Sequence, residues 1–345
     1  MQRVLGILSR LTGRFWRLLS DEIWPNLTGL LRFVRRREQA TLVWPAPDAA
    51  LGPRVAIIVH YDRRGRVRPG LLRYIAELRE AGCDVIVVSN AGHLAASCFA
   101  ALQACCSAVL VRRNVGYDFG AWQEAMACFG LPRPGTELLI LANDSVYGPL
   151  GPLAPVLARI DIAAAPFWGL TDSWQHRYHL QSYFLAAGPA VLRSPAWPAF
   201  WRTVRPAPNK RFIIRRYEVG LTQALLREGH EVRAVWPYQT LTEMVLNDAE
   251  GRRGAPSALQ RVRNRHHGNL IRAILGRRAL NPTSDLWRLL LIQGFPFIKK
   301  ELLRLNPGRV LDLADWRDVV AHHFPQARLA ELEQDLAISV RNRAP

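Results

Sequence analysis

Two kinds of hydrophobic pattern alternate along the middle of the chain. Continuous apolar runs rich in β-branched residues are typical of strands buried on both faces of a parallel sheet. Between these runs lie segments whose apolar residues recur at helical spacing. The predicted order is strand Val55–Asp62, helix Gly70–Ala81, strand Asp84–Asn90, helix Leu94–Cys105, strand Ala108–Arg113, helix Gly120–Phe129 and strand Glu137–Ala142. This alternation predicts an α/β fold, with a mostly parallel sheet and helices on both faces.

The first residues of the chain have a different, amphipathic pattern. Over Met1–Leu19 the apolar side chains share one helical face and arginines cluster on another. Residues 1–39 carry a net charge of +5, from eight Arg against three acidic residues. Such a segment can lie in the headgroup region of an anionic membrane, or it can pack on the protein with its basic face in water. We favour the membrane interpretation.

Proline and charge mark the boundaries of three regions. A proline-bearing linker, Trp44–Pro53, follows the amphipathic arm, and the segment from Gly251 to Ser284 holds eight Arg and no acidic residue. The predicted regions are a basic helical arm with its linker at residues 1–50, the α/β domain at residues 51–250, and an Arg-rich, mainly helical C-terminal region at residues 251–345.

The chain is strongly basic, with a formal net charge of +18 over 345 residues. Such a surface attracts polyanions, which include nucleic acid, acidic lipid and phosphate-bearing substrates. A nucleic-acid-binding protein is the least favoured of these, because the sequence has no recognised nucleic-acid motif. Its aromatic residues also fall within apolar segments rather than along a basic stripe. We therefore expect an anionic membrane surface or a phosphate-bearing ligand, and no nucleic acid.

Cysteine usage and the N-terminal pattern favour a cytoplasmic location. The five cysteines have no CxxC spacing, and we expect reduced, mostly buried thiols. The N-terminus has neither the continuous apolar core nor the small-residue cleavage site of a signal peptide. The longest uncharged run, Leu94–Val111, contains Gln103 and is predicted to be a helix running into a strand rather than a membrane span. We expect a cytoplasmic protein held at the inner face of the plasma membrane by its basic arm.

The candidate chemistry is concentrated in two segments. In the first, Asn114–Gly120, two glycines allow positive φ or close approach of the backbone to a ligand, and Asn114 and Asp118 can hydrogen-bond a ribose or sugar hydroxyl. The alternative is a tight turn in which Asp118 caps the following helix. In the second, Asn143-Asp144-Ser145 ends an apolar strand at the edge where α/β proteins place their ligands. Its alternative is a polar turn at a strand end.

Several segments rich in Trp, Tyr and His carry a resemblance to a known family. They are IIVHYD, RRNVGYDFGAW, LANDSVYGP, FWGLTDSWQHRYHLQSYFL, RRYEVGLTQALLREG and NPTSDLWRLLLIQGFPFIKKELLRLNP, spread over residues 55–307. On these segments the chain resembles the rhamnan synthesis protein F family of bacterial cell-surface polysaccharide assembly, and more loosely the GT-A glycosyltransferase plan. The resemblance implies a GT-A-like fold and transfer of a sugar, often rhamnose, from a nucleoside diphosphate donor to a lipid-linked glycan.

The resemblance also implies which residues bind the donor. They are Asp62, Asn114, Gly116, Asp118, Asn143 and Asp144, with dTDP- or GDP-linked rhamnose the leading donors. In GT-A enzymes a DxD motif holds Mg²⁺ or Mn²⁺ against the donor diphosphate. Here Asn143-Asp144-Ser145 keeps a single carboxylate, so Asp144 is the candidate metal ligand and metal dependence stays open. Arginines are an alternative source of positive charge for the diphosphate. For Asp62, an ordinary exit from strand to loop is the competing interpretation.

The same comparison suggests the general base of an inverting transferase. Glu218 starts the predicted helix Glu218–Glu228, in the place where GT-A enzymes carry the carboxylate that deprotonates the acceptor hydroxyl. A glutamate in a first helical turn is also explained by the helix dipole alone. Asp172 is the competing base, and His179 and Gln181 are predicted acceptor contacts in the same polar and aromatic segment.

Taken with the resemblance, these residues predict an inverting glycosyltransferase of O-antigen, capsule or rhamnan synthesis. Its acceptor would be a polyprenyl-diphosphate-linked glycan at the membrane. One alternative is a non-catalytic scaffold with a degenerate transferase fold, suggested by the weakened DxD motif. Donor binding without turnover would favour that scaffold, whereas binding that falls steeply with salt and ignores nucleotide sugars would favour a nucleic-acid-binding protein.

Overall fold

A computed structural model describes residues 39–45, 50–205, 207, 209–248 and 257–341 of the chain. The predicted helical arm over residues 1–38 lies outside the described residues, as do residues 249–256 at the predicted start of the C-terminal region. Across the part of the chain that is described, no helix is both long enough and apolar enough to cross a membrane.

A mixed, mostly parallel sheet forms the centre of the fold. The strands are β1 (Ala40–Trp44), β2 (Arg54–His60), β3 (Asp84–Ser89), β4 (Ala108–Arg112), β5 (Leu138–Asn143), β6 (Val146–Tyr147), β7 (Phe167–Ser173), β8 (His179–Leu180), β9 (Phe184–Ala187), β10 (Val232–Trp236) and β11 (Ile298–Lys299). Their order in the main sheet is β1-β4-β3-β2-β5-β9-β7-β10, with β8 paired to β7. β2, β3, β4 and β5 are mutually parallel, as are β7 and β10, whereas β1 and β9 run antiparallel to their neighbours. The predicted α/β class is confirmed.

Helices cover both faces of this sheet. They are α1 (Pro69–Glu80), α2 (Ala96–Cys105), α3 (Tyr117–Cys128), α4 (Ala154–Leu157), α5 (Pro189–Leu192), α6 (Ala196–Thr203), α7 (Lys210–Ile213), α8 (Val219–Arg227), α9 (Tyr238–Asn247), α10 (Ala258–Leu275), α11 (Pro282–Asp285), α12 (Trp287–Ile292), α13 (Lys300–Leu305), α14 (Trp316–His323) and α15 (Leu329–Arg341). A π-helical turn, Ile214–Glu218, precedes α8, and a 3₁₀ turn, Leu311–Leu313, precedes α14.

The continuous apolar runs of the sequence are explained by this two-sided cover. In β2, Ile57 and Val59 face the core that contains α3, while Ala56 and Ile58 face the core that contains α1 and α2. Alternate residues therefore point to opposite faces, and both faces are dry. A strand in this position has no solvated side, so it shows no polar alternation.

Most predicted boundaries shift by one or two residues, and three differences matter for the site. Residues 40–44 do not continue the predicted helical arm, because they form the edge strand β1, whose Ala40 N donates to Glu124 Oε1 at 2.7 Å. Helix α3 begins at Tyr117 rather than Gly120, so Asp118 lies inside its first turn and is not its cap. Glu218 does not begin a helix but ends the π-helical turn that leads into α8.

The C-terminal region is mainly helical, as predicted, and packs on the sheet domain. Strand β11 pairs antiparallel with β6, directly after the polar end of β5. Helix α15 lies on α1, where Arg68 Nε is 3.3 Å from Asp335 and Arg73 pairs with Glu331. These contacts join segments more than 150 residues apart and place the C-terminal region against the end of β5.

Candidate functional site

The carboxyl ends of β2 and β5 form the edge where a ligand crevice is expected. From β2 the chain builds outward through β3 and β4, then returns to add β5 on the other side of β2. Open α/β sheets bind ligands at such a reversal, outside the carboxyl ends of the strands. Here Asp144 N donates to Val59 O at 2.9 Å, which holds the polar end of β5 against the end of β2.

One wall of the crevice is the loop between β4 and α3, and a buried arginine holds its shape. The Arg112 guanidinium donates to Glu124 Oε2 at 2.5 Å, to Asn90 Oδ1 at 2.7 Å and to Val115 O at 2.9 Å. Gly116 has a φ of +81°, and a Cβ on Gly120 would lie 2.7 Å from Val115 O. Both glycines are therefore required by geometry, one for positive φ and one for close approach. The sequence identified the glycines but not the role of Arg112.

Asp118 and Asn143 meet at the base of this wall. Asn143 Nδ2 donates to Asp118 Oδ2 at 2.9 Å, and Asn143 Oδ1 accepts from Ser145 N at 3.0 Å. Burial, followed by the negative charges of Asp144 and Glu218, raises the pKa of Asp118 to about 7. The carboxylates predicted from three separate segments are thus close enough to interact. A carboxyl with a pKa near neutrality in a crevice is typical of functional sites.

Asp144 points from the end of β5 toward a lysine. Its Oδ2 atom lies 3.4 Å from Lys300 Nζ and 3.5 Å from Tyr61 N. Neither side chain of this ion pair is sealed from water, with 24% of Asp144 and 22% of Lys300 exposed. Lys300 was not among the residues predicted to form the site.

Glu218 approaches the crevice from the junction of the π-helical turn and α8. Its Oε1 atom accepts hydrogen bonds from Ser182 N at 2.8 Å and from Ser182 Oγ at 3.0 Å. Burial lowers the pKa of the half-buried Lys299, while the negative charges of Glu218 and Glu301 act in the opposite direction. The positive charge of Lys210 also acts on Asp118. The charges of Lys299 and Lys210 therefore act on Glu218 and Asp118 respectively.

Asp62 is placed near the crevice, but its carboxylate is used within its own loop. Its Oδ1 atom accepts from Arg64 N at 2.7 Å, and its Oδ2 atom lies 3.3 Å from Arg66 and 3.4 Å from Arg68. Burial acts to raise the pKa of Asp62, but the hydrogen bonds from Arg64 and Arg66 outweigh it and lower the pKa. Donor binding by Asp62 stays a prediction. The hydrogen bonds in the structure give it a part in ordering residues 62–68.

The other predicted base and the predicted acceptor residues are buried. Asp172 Oδ1 accepts from Tyr238 N, at the start of α9, at 2.5 Å, and burial raises its pKa. His179 Nδ1 lies 2.8 Å from Arg177 O. Gln181 Oε1 accepts from Thr171 Oγ1 at 2.8 Å. All three side chains are at most 6% exposed. Their roles as base and acceptor contacts stay predictions. In the structure these three side chains contact other groups of the protein.

The exposed part of this segment is the loop between β7 and β8. Trp174 is 55% exposed, and its ring lies 5.2 Å from that of Tyr178. In the same loop the negative charge of Glu218 acts on His176, although burial and the charges of Arg215 and His179 lower the pKa of that imidazole. The loop therefore presents an exposed aromatic side chain, and its His176 is within electrostatic range of Glu218.

The side chains around Asp144 do not form a suitable set of ligands for a divalent cation. Among the described residues no group of three or more His, Cys, Asp or Glu side chains is arranged to hold a metal ion. Asp144, the predicted ligand, faces the Lys300 ammonium at 3.4 Å. An ammonium at that distance neutralises the carboxylate and repels a second cation. We therefore derive no step through a metal.

The fold is that of a doubly wound α/β protein, with carboxylates and lysines gathered at the carboxyl ends of β2 and β5. Within this class, residues 85–250, just under half of the chain, match the family model described as Rhamnan synthesis protein F. The resemblance carried by the motifs is confirmed over this part of the chain. The matched residues include Asp118, Asp144 and Glu218 and stop short of Lys299 and Lys300.

Two named proteins are similar to this chain. The "Virulence protein VirA" of Vibrio anguillarum is 28% identical over 206 residues, which cover 59% of this chain and 64% of that protein. The "Uncharacterized protein y4gN" of Sinorhizobium fredii is 26% identical over 198 residues, which cover 56% of this chain and 51% of that protein. The chain thus spans less than two thirds of the length of either relative.

Proposed function

We propose that this protein is an inverting glycosyltransferase of bacterial cell-surface polysaccharide synthesis. The observation that carries the proposal is that Asp118, which accepts from Asn143 at the end of β5, is within electrostatic range of both Asp144 and Glu218. The elements that deliver them follow the order of the GT-A plan: a donor loop after a strand, a polar end on the next strand, and a carboxylate on a later helix. The family match over residues 85–250 supports the same function, because that family is named for rhamnan synthesis.

The residues of the crevice suit a single displacement at the anomeric carbon. Glu218, held by two hydrogen bonds from Ser182, is the general base. It takes the proton of the acceptor hydroxyl as that oxygen forms its bond to the anomeric carbon. The bond from this carbon to the donor phosphate oxygen breaks at the same time, and its electron pair leaves with the nucleoside diphosphate. The product has inverted configuration because attack and departure occur on opposite faces of the sugar.

Donor binding is assigned to the loop between β4 and α3 and to the end of β5. With a pKa of about 7, Asp118 is partly protonated at neutral pH, so it can donate to or accept from a sugar hydroxyl. Asn114 is exposed at the mouth of this loop, and Gly116 lets the backbone approach the donor. A dTDP- or GDP-linked rhamnose is the proposed donor by family resemblance.

The proposed acceptor is a polyprenyl-diphosphate-linked glycan, and the proposed location is the cytoplasmic face of the plasma membrane. The net charge of +18 supports contact with anionic lipid. Deleting residues 1–39 should weaken binding to anionic liposomes more than it weakens donor binding. Unchanged partitioning of the shortened protein would remove the arm as the anchor.

The function is tested by calorimetric titration with a panel of nucleoside diphosphate sugars, in EDTA and then with Mg²⁺ or Mn²⁺, followed by transfer assays with the donor that binds. Selective binding and turnover, both reduced strongly by Asp144→Asn in a folded protein, are the expected result. Near-normal turnover by Asp144→Asn would refute the placement of the donor. Donor binding without any turnover would favour a non-catalytic scaffold, which the single carboxylate of Asn143-Asp144-Ser145 keeps as the second candidate.

A further inference from the structure

The use of lysine in this chain is unusual. Of its 46 basic residues only three are lysines, Lys210, Lys299 and Lys300, and all the others are arginines. The structure brings all three to one place, around the carboxylates Asp118, Asp144 and Glu218. A chain that uses arginine almost everywhere else has lysine only beside this crevice. Lysine provides a compact charge with three donors, whereas arginine provides a wide planar fork.

The pairing of β11 with β6 places two of these lysines beside the end of β5. Lys299 is opposite Val146 in the register, and Lys300 N donates to Ser145 O at 2.9 Å. These backbone contacts fix the position of both residues relative to Asp144, although 156 positions separate Asp144 from Lys300. The lysines are therefore a built part of the crevice and not flexible side chains on a distant surface.

The side-chain geometry leaves Lys300 able to bind an anion. Its Nζ atom lies 3.4 Å from Asp144 Oδ2 and 5.5 Å from the centre of the Tyr147 ring. An ammonium group has three donors, so one can point to Asp144 while the others point to a ligand. A cation held between a carboxylate and a diphosphate is the arrangement that a divalent metal provides in metal-dependent transferases. Lys300 has the position and the charge for that role.

Lys299 adds a second charge on the side of the general base. Burial disfavours the charge of its half-buried amino group, and the carboxylates Glu218 and Glu301 favour it. Lys210, whose Nζ atom lies 3.5 Å from Glu301 Oε2, is the third lysine of this group. Departure of a nucleoside diphosphate leaves one additional negative charge on its terminal phosphate. Fixed cations at that point stabilise the charge as it develops.

We propose that Lys300 and Lys299 bind the diphosphate of the donor in the place of a divalent cation, so that binding and transfer need no metal. This inference rests on the proposed function and names the residues that neutralise its leaving group. It draws on residues outside the segment that matches the family model.

The test is calorimetric titration of the full chain with dTDP, GDP and inorganic pyrophosphate, in EDTA and in Mg²⁺. We expect a nucleotide to bind in EDTA with a Kd within about twofold of that in Mg²⁺. Lys300→Ala should weaken binding about tenfold or more, the loss of one charge-assisted hydrogen bond, and Lys300→Arg should lose less. Arg328→Ala is the matched control, because it removes one positive charge from a side chain that is 70% exposed.

A second measurement uses the rarity of lysine. Acetylation of the folded protein in EDTA, followed by peptide mass spectrometry, should show that the bound nucleotide protects Lys300 and Lys299. Equal acetylation with and without nucleotide would overturn the inference, as would wild-type affinity in Lys300→Ala or binding that occurs only with Mg²⁺ or Mn²⁺. In these cases the proposed function stands. If neither dTDP nor GDP binds in any condition, both the inference about the lysines and the proposed function are refuted.

Discussion

Replacing Asp118 by asparagine should stabilise the protein at neutral and alkaline pH. Asp118 is half-buried beside Asp144 and Glu218, and its pKa is raised from the ordinary 3.8 to about 7. As the pH rises from about 4 to 7, the unfolded chain gives up this proton while the folded chain keeps it, so stability falls across that range. Above about pH 7 Asp118 is ionised in both the folded and the unfolded chain, so stability falls no further on its account. The substituted amide carries no charge, and its oxygen can still accept from Asn143.

The magnitude follows from the two pKa values. A pKa shift from 3.8 to about 7 corresponds to roughly 4 kcal/mol of unfolding free energy for a carboxyl that water does not screen. Asp118 is not fully sealed from water, so we expect the measured effect to be about 2 kcal/mol. The advantage of Asp118→Asn should be close to zero near pH 4, should grow toward pH 7 and should then stay constant. The same substitution should reduce donor binding, because a neutral amide cannot take both roles of a partly protonated carboxyl.

The assay is urea-induced unfolding of both proteins at pH 5, 6, 7 and 8. Asp318→Asn, which removes an exposed carboxylate from the first turn of α14, is the matched control and should change the free energy of unfolding by less than about 0.5 kcal/mol at every pH. If Asp118→Asn has the same advantage at pH 5 as at pH 8, or none at either, then Asp118 is not held among interacting carboxylates. The electrostatic description of the crevice would then be wrong.

Three further substitutions test other parts of the site. Gly120→Ala should cost about 1–3 kcal/mol of unfolding free energy in urea titrations and displace the loop between β4 and α3, because its Cβ would lie 2.7 Å from Val115 O; unchanged stability would show that the loop can move freely. Arg112→Ala should cost about 3–5 kcal/mol, because it leaves Glu124 without its buried partner; a cost below 1 kcal/mol would contradict that role. Trp174→Ala should raise the acceptor KM in steady-state kinetics and leave the donor Kd unchanged, whereas a weaker donor Kd would place this side chain in the donor site.

The parts of the site that the sequence predicts are those built on the parallel sheet. The buried strands end at known positions, and carboxyl ends of parallel strands meet at one edge, so the proximity of Asn143 and Asp144 to the loop before α3 follows from the pattern alone. The positive φ at Gly116 and the tight approach at Gly120 follow from residue type. In these cases a local pattern carries the spatial information.

The parts that could not be predicted depend on contacts without a local pattern. Lys300 reaches Asp144 through a strand of only two residues, β11, which is too short to show any periodicity. The edge strand β1 is five residues long and follows a basic segment, so its pattern does not separate it from the predicted arm and linker. The π-helical turn before α8 inserts an extra residue per turn, and this sets the direction of Glu218 without a sequence signal.

The pairing of β6 with β11 has a consequence for how the protein is made. A ribosome that has delivered residues up to 250 has already supplied every strand of the central sheet, together with Asp118, Asp144 and Glu218. The chain can collapse into a sheet domain at that stage, but the ammonium that faces Asp144 is still about fifty residues from synthesis. The crevice is therefore completed late in translation. A chain that ends before residue 298 would keep Asp118, Asp144 and Glu218 but lack Lys299 and Lys300, so the cations proposed to bind the diphosphate would be missing until the C-terminal region is made and docks.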